Sequence, residues 1–218
     1  MVILVCEVNC MYLRRKIDDY LKEWKNSEER KPLIIKGARQ IGKTESIRKF
    51  AEENYTSVIE INFVEEPKYR TIIVDGYGAD EIVKSISRID PQKQFIPEET
   101  LIFFDELQEF PEIATSLKFF AQDGRFDIIC SGSLLGISYQ RIESNSVGYK
   151  NDYTMYSMDF EEFLWAKGYQ DDVIEDMLEH MCQGKAFGKA ELYTFEEAFL
   201  DYCIQYLRYL HNSGTKEH

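Results

Sequence analysis

The chain has 218 residues, of which 44% are hydrophobic and 14% aromatic, and its formal net charge is −13. This apolar content excludes a disordered protein, and a chain of this length is expected to bury roughly 70% of its unfolded surface. The negative charge argues against a protein whose whole surface binds nucleic acid. No apolar run approaches the roughly 20 residues that span a membrane. The irregularly spaced cysteines indicate a reduced, cytoplasmic protein.

Residues 1–11 lack a basic start and contain Glu7, so they fail as a signal peptide and are interpreted as an N-terminal extension. Beyond them, helical and strand patterns alternate. Helices are predicted over residues 12–25, 43–53, 79–89 and 111–122, and strands over residues 32–36, 57–63, 100–105, 127–131 and 153–158. The strand segments are continuous apolar runs, which is typical of a parallel sheet with helices on both faces.

From residue 159 the sequence becomes helical again and strongly acidic, which is interpreted as a solvated helix face. The last predicted helix, from Ala190, has a stripe of apolar residues formed by Leu192, Phe195, Phe199, Tyr202, Cys203, Tyr206, Leu207 and Leu210. We expect this stripe to be partly exposed, which favours self-association of the chain.

A glycine-rich motif connects the first predicted strand to the following helix. It reads G-A-R-Q-I-G-K-T and consists of Gly37, Ala38, Arg39, Gln40, Ile41, Gly42, Lys43 and Thr44. This is the full phosphate-loop pattern in the context that it requires. Backbone N–H groups of such a loop surround phosphate oxygens, Lys43 supplies a charge for the β- and γ-phosphates, and the Thr44 hydroxyl suits Mg²⁺. The sequence therefore predicts a nucleoside triphosphate site.

Two acidic residues end another predicted strand, L-I-F-F-D-E. The carboxyl ends of strands in an open parallel sheet lie at the edge where ligands bind, so Asp105 and Glu106 are expected beside the phosphates. Asp105 is predicted to hold Mg²⁺ through water, and Glu106 to orient or deprotonate the attacking water. A second carboxylate that can act as a base for water favours hydrolysis over transfer of the phosphoryl group to a small acceptor.

A polar turn ends a third predicted strand, at Ser131, Gly132 and Ser133. A hydroxyl at this strand tip is suited to contact the γ-phosphate and to register its loss. Ser131 is preferred for this sensor role and Ser133 is the alternative, although an ordinary strand-ending turn uses the same residue types.

Together, the motifs GARQIGKT, LIFFDELQ, CSGSLLG and MDFEEFLWAKGY resemble one prokaryotic family of AAA+ ATPases over about residues 12–169. The resemblance implies an α/β fold of the P-loop NTPase type (AAA+, ASCE), a three-layer sandwich with a mainly parallel five-stranded sheet, followed by C-terminal helices. It places the Ser131 strand between the phosphate-loop strand and the Asp105 strand. It also implies ATP and Mg²⁺ as ligands, with Thr44 and Asp105 as metal ligands. Catalytic roles fall to Lys43, Glu106 and Ser131.

Two departures from this family affect the interpretation. Members often carry a V-G-R segment before the last strand, where this chain has V-G-Y-K. Arg141 and Lys150 are then the weak candidates for the role of an arginine finger, a cation that is inserted beside the γ-phosphate to speed hydrolysis. Relatives also continue into a further C-terminal domain, so we interpret the chain as truncated. Its predicted parts are an N-terminal extension (1–11), an ATPase domain (12–169) and a helical segment (170–218).

The predicted function is Mg²⁺-dependent ATP hydrolysis that drives or switches a missing C-terminal domain, a separate partner protein or further copies in a homo-oligomer. Turnover is expected to be slow where no arginine finger is supplied. The first alternative is a nucleotide-dependent binding module with little or no turnover, and the second is a phosphotransferase. No membrane partner is predicted, and the basic bias at Arg14, Arg15 and Lys16 does not indicate a nucleic acid.

Overall fold

The computed structural model describes residues 12–133, 148–184 and 186–214. They divide into two compact units, Ile17–Ser157 and the chain on either side of it. Residues 1–11 and Arg141 lie outside the described residues, and the domain boundaries at residues 11 and 169 stay predictions. No helix in the described part of the chain is both long enough and apolar enough to cross a membrane.

The unit Ile17–Ser157 is built on one parallel sheet. Its strands are β1 (Leu33–Gly37), β2 (Ser57–Asn62), β3 (Thr100–Asp105), β4 (Asp127–Ser133) and β5 (Asn151–Thr154). They lie in the order β2-β3-β4-β1-β5, and each neighbouring pair is parallel. The five-stranded parallel sheet is therefore confirmed, as is the position of the Ser131 strand, β4, between β1 and β3.

Helices cover both faces of the sheet. They are α1 (Lys16–Asn26), α2 (Lys43–Asn54), α3 (Ala79–Ile89) and α4 (Leu117–Asp123), with 3-10 helices at Pro67–Thr71, Leu107–Glu109 and Pro111–Ser116. Side chains alternate along the fully buried β3. Ile102 and Phe104 join the core cluster that contains residues of α3 and α4, whereas Leu101 and Phe103 join the one that contains residues of α1 and α2. The expected three-layer α/β sandwich is confirmed.

Several predicted elements differ in extent from those observed, and two of these differences have a clear local cause. The segment 111–122, predicted as one helix, is 3-10 helical up to Ser116, whose hydroxyl donates to Ile113 O at 2.6 Å. Such local hydrogen bonds compete with the bonds of a regular helix. The last strand begins earlier than predicted, at Asn151, because its N–H donates to Pro32 O at 2.8 Å and so extends the pairing with β1.

The described residues of the second unit form three further helices, α5 (Phe160–Ala166), α6 (Asp171–Gln183) and α7 (Lys189–Gly214). Its small core is formed by Leu164, Ile174, Met177 and Ala198. The apolar stripe of α7 is partly exposed, as expected. Phe195 packs edge-on against Phe160 with ring centroids 5.6 Å apart, whereas Leu207 is 64% exposed. Self-association through this stripe stays a prediction.

Candidate functional site

The phosphate loop leaves the carboxyl end of β1 and leads directly into α2. Two of its residues have a left-handed backbone, Gln40 with φ 61° and Gly42 with φ 93°. Gly37 is needed for a different reason, since a Cβ there would lie 2.3 Å from Met155 O and 2.7 Å from Ile41 Cδ1. The chain therefore combines a curled loop with the N-terminus of a helix, an arrangement suited to phosphate.

Lys43 begins α2, and its side chain folds back onto the loop. Its Nζ donates to Gly37 O at 3.1 Å and to Ala38 O at 2.6 Å. Partial burial lowers the pKa of Lys43, while the negative charges of the nearby Glu106 and Asp105 oppose that effect. The ammonium group is thus held at the loop in the field of both carboxylates.

Asp105 ends β3 and contacts the phosphate loop. Its Oδ2 accepts hydrogen bonds from Thr44 Oγ1 at 3.2 Å and from Asn62 Nδ2 at 3.3 Å. Its Oδ1 accepts from Ser131 Oγ and from Glu106 N, the latter at 3.0 Å. Burial raises the pKa of Asp105, and the hydrogen bonds that its carboxylate accepts oppose the rise. Two groups whose oxygen atoms suit a hard metal ion, the Thr44 hydroxyl and the Asp105 carboxylate, therefore lie side by side.

Glu106 follows the strand in a left-handed conformation with φ 55° and ψ 48°. Its Oε2 accepts a hydrogen bond from Gln108 Nε2. An open cavity of about 500 Å³ lies at this edge of the sheet, and its walls include Lys43, Thr44, Asp105 and Glu106. The phosphate loop and both carboxylates, which lie far apart in the chain, thus share one cavity.

The two serines of β4 have different surroundings. Ser131 is buried with 1% of its surface exposed, and its hydroxyl donates to Asp105. Ser133 lines the cavity, and its backbone N–H donates to Gln108 Oε1 at 3.0 Å. Ser131 is therefore in direct contact with the carboxylate, while Ser133 is the serine at the cavity wall. The sensor role of either residue stays a prediction.

Sequence reasoning missed two polar side chains of this site, Asn62 and Gln108. Asn62 ends β2 in register with Asp105 and also accepts hydrogen bonds from the N–H groups of Val64 and Glu65, at 2.9 and 3.1 Å. A polar residue at the carboxyl end of an apolar strand was the signal that could have identified Asn62. For Gln108 the only signal was its place directly after the L-I-F-F-D-E-L run.

The weak finger candidate Lys150 lies away from this cavity. It directly precedes β5, whose start pairs with the start of β1, whereas the phosphate loop follows the other end of β1. The Lys150 side chain is 7% exposed and forms an ion pair with Asp152. A buried, paired ammonium group is unsuited to insertion into a neighbouring subunit, so the interpretation of Lys150 as a finger is not supported.

Comparison with known proteins identifies one family. A family model described as an AAA domain matches residues 29–164. No curated protein has significant sequence similarity to the chain.

Similar solved structures include Drosophila ORC bound to DNA, with 15% identity, 75% of this chain and 48% of that chain covered, and a TM-score of 0.45. Domain III of the Thermotoga maritima replication initiation protein DnaA has 15% identity, 83% and 91% coverage, and a TM-score of 0.42. C. elegans PCH-2 has 11% identity, with 80% of this chain and 48% of that chain covered and a TM-score of 0.39. The chain thus spans about half the length of the ORC and PCH-2 chains, at 48% of each.

Proposed function

The chain belongs to the AAA domain family, and on that premise we propose that it binds ATP with Mg²⁺ and hydrolyses it to ADP and phosphate. The single observation that carries the proposal is the hydrogen bond of 3.2 Å between Thr44 Oγ1 and Asp105 Oδ2, which joins the phosphate loop to the end of β3. Glu106, the next residue, lines the same cavity.

The phosphates of ATP would lie over the loop Gly37, Ala38, Arg39, Gln40, Ile41, Gly42, Lys43 and Thr44. Its curled backbone and the first turn of α2 supply N–H donors and the positive end of a helix dipole. Lys43 would exchange its contacts with the loop carbonyls for phosphate oxygens. Burial lowers the pKa of Lys43, and an incoming polyanion would oppose that effect because an opposite charge favours the charged form.

The donor atoms at the cavity fit Mg²⁺, which prefers oxygen ligands. Thr44 Oγ1 would hold the ion directly and Asp105 would hold it through water, which the hydrogen bond between the two groups supports. When bound, Mg²⁺ would offset negative charge on the β- and γ-phosphates. The hydrogen bonds that Asp105 accepts from Thr44, Asn62, Glu106 and Ser131 hold its carboxylate beside the phosphate loop.

Glu106 is the proposed base for the attacking water. The water oxygen attacks the γ-phosphorus while the bond from phosphorus to the bridging oxygen breaks, which releases ADP and inorganic phosphate. A Glu106 oxygen accepts the proton that the water loses and passes it to solvent after the products leave. Ser131, through its hydrogen bond to Asp105, is proposed to fix that carboxylate.

A nucleotide-dependent binding module with little turnover is the second candidate. It is favoured by the ion pair of Lys150 with Asp152, since this removes one of two candidate fingers and leaves Arg141. Charge from an arginine finger can raise turnover by roughly 10³ to 10⁵. In either case the nucleotide would switch a partner protein or a further copy of the chain, and we place this activity in the cytoplasm.

The test compares the purified wild type with Lys43→Ala and Glu106→Gln, using a non-hydrolysable ATP analogue for affinity and phosphate release for turnover. Lys43→Ala is expected to weaken binding by more than about tenfold, as a lost charged hydrogen bond does. Glu106→Gln should keep the affinity and lose on the order of 10² to 10⁴ in kcat.

Matched controls are Lys49→Ala, a partly exposed lysine of the same helix outside the cavity, and Glu112→Gln, an exposed acid outside the cavity. Both should behave as wild type. Absence of analogue binding by the wild type would end the proposal. Binding without turnover above the Glu106→Gln level would instead select the binding module.

A further inference from the structure

The Gln108 side chain connects two motifs that are separate in the sequence. Its Nε2 donates to Glu106 Oε2, and its Oε1 accepts the backbone N–H of Ser133 at 3.0 Å. Glu106 and Ser133 both line the nucleotide cavity. One carboxamide thus joins the proposed base at the end of β3 to the tip of β4.

A carboxamide is the group that this connection requires, because it offers a donor and an acceptor at the same time. A glutamate at position 108 would still accept from Ser133, but it would lack the donor and would place a second negative charge beside Glu106. Leucine would fill similar space without either hydrogen bond. Asparagine would be one methylene shorter and would not span both partners.

The glycine between the two serines of β4 makes room for this amide. A Cβ on Gly132 would lie 2.8 Å from Gln108 Oε1, and its nearest other contacts would be Leu107 atoms at 3.5 and 3.6 Å. Gly132 has no positive φ that would by itself demand glycine. The predicted turn at Ser131, Gly132 and Ser133 is instead the end of β4, and the close approach of Gln108 accounts for glycine between the two serines.

From these contacts we propose that Gln108 is a positioning residue for ATP hydrolysis. It holds the Glu106 carboxylate toward the cavity by one oxygen, which leaves the other oxygen for the attacking water. Because Ser133 anchors the far side of the amide, the orientation of the base depends on the position of the β4 tip. A ligand that displaces Ser133 would thereby reorient Glu106. This inference rests on the proposed function, since it assigns a task to the same base.

The test measures affinity for a non-hydrolysable ATP analogue and kcat for Gln108→Leu and Gln108→Glu, with Gln122→Leu on the exposed side of α4 as the control. Both Gln108 variants should bind within about twofold of wild type and turn over about 10- to 100-fold more slowly. A reacting group misplaced by about 1 Å has an effect of this size. The control should match wild type in both measurements.

A double-mutant cycle separates positioning from general structural damage. In the Glu106→Gln background, Gln108→Leu should cause no further loss of kcat, because the group that it positions is already gone. Additive losses would overturn the inference, as would an unchanged kcat in the single variants or a loss confined to affinity. A wild type without turnover would fail the proposed function first, and the role of Gln108 would fall with it.

Gly132→Ala provides a second test if the Gln108 variants fold poorly. The added methyl should displace the amide and reduce kcat in the wild-type background. In a Gln108→Ala background, where the close contact is removed, the same substitution should have little further effect. An equal loss in both backgrounds would contradict the connection through Gln108.

Discussion

Gly37 ends β1, and the backbone of Met155, which directly follows the neighbouring strand β5, comes unusually close to it. The nearest atom to a Cβ at this position would be the carbonyl oxygen of Met155, which is main chain and cannot rotate away. Met155 N in turn donates to Lys36 O at 2.7 Å, so the two segments are held together. The glycine thus serves the sheet as well as the phosphate loop.

Gly37→Ala is expected to reduce the free energy of unfolding by about 1–3 kcal/mol, the range found for overpacked cores. Gly78→Ala is the matched control, because its Cβ would meet only the far end of the flexible Glu81 side chain. Urea unfolding of both variants checks this. Equal and small losses would show that the Met155 segment gives way.

Cys130 lies in the middle of β4 and is fully buried. Burial raises the pKa of the Cys130 thiol, since a thiolate would be desolvated there. We expect iodoacetamide at neutral pH to label the exposed Cys182 rapidly. Cys130 should react only when the protein unfolds, and therefore at least about 10³-fold more slowly. Peptide mass mapping distinguishes the sites, and comparable labelling rates would contradict the buried position of β4.

The D-F-E-E-F-L motif shows at the element scale how a local signal and a long-range contact combine. Asp159 and Glu162 form a capping box at the start of α5, with Glu162 N donating to Asp159 Oδ1 at 2.9 Å and Asp159 N to Glu162 Oε2 at 3.1 Å. The other oxygen of Glu162 accepts from Lys16 N at 2.8 Å and forms an ion pair with Arg15 Nε at 3.1 Å. Glu162 thus caps two helices at once.

Glu162→Ala is expected to lower stability by about 1–3 kcal/mol, because it removes the buried acceptor of the Lys16 and Asp159 backbone N–H groups. Its neighbour Glu161 is paired with Lys16 at 2.7 Å but is partly exposed. Glu161→Ala should therefore lose at most about 1 kcal/mol. Thermal unfolding followed by circular dichroism compares them. Similar losses for both would mean that the buried contacts of Glu162 contribute little.

The same contact explains why the first helix is shorter than its amphipathic pattern. The pattern predicts a helix over residues 12–25, whereas α1 begins at Lys16, where the backbone N–H is taken by Glu162. A helix start capped by a residue 146 positions away leaves no local sequence signal. The helix predicted over residues 79–89, by contrast, is observed at Ala79–Ile89, and its ends are closed by nearby backbone groups, since Ile82 N donates to Gly78 O at 3.1 Å and Asp90 N to Ile86 O at 2.9 Å.

At the scale of the whole molecule, ligand binding should stabilise the fold. A ligand at about 100 times its Kd adds about 2.7 kcal/mol, which raises Tm by roughly 5–10 °C for a chain of this size. We expect this rise with an ATP analogue and Mg²⁺, a smaller rise when EDTA is added, and at most about half of it for Lys43→Ala at the same ligand concentration. Differential scanning fluorimetry measures it. A rise of the same size in Lys43→Ala would place the ligand elsewhere.

The sequence alone determined the alternation of helices and parallel strands and the candidate phosphate loop, because the loop is one run of eight consecutive residues whose neighbours are a local strand and a local helix. It also predicted which strand ends carry the acids, since apolar runs define those ends. Only the tertiary structure decided which polar groups meet there. The contacts of Asp105 with Thr44, Asn62 and Ser131 join three strands and a helix. Gln108 reaches Ser133 across the same edge. Such contacts depend on the register and order of the strands, which the packing of the whole sheet sets and no short segment encodes.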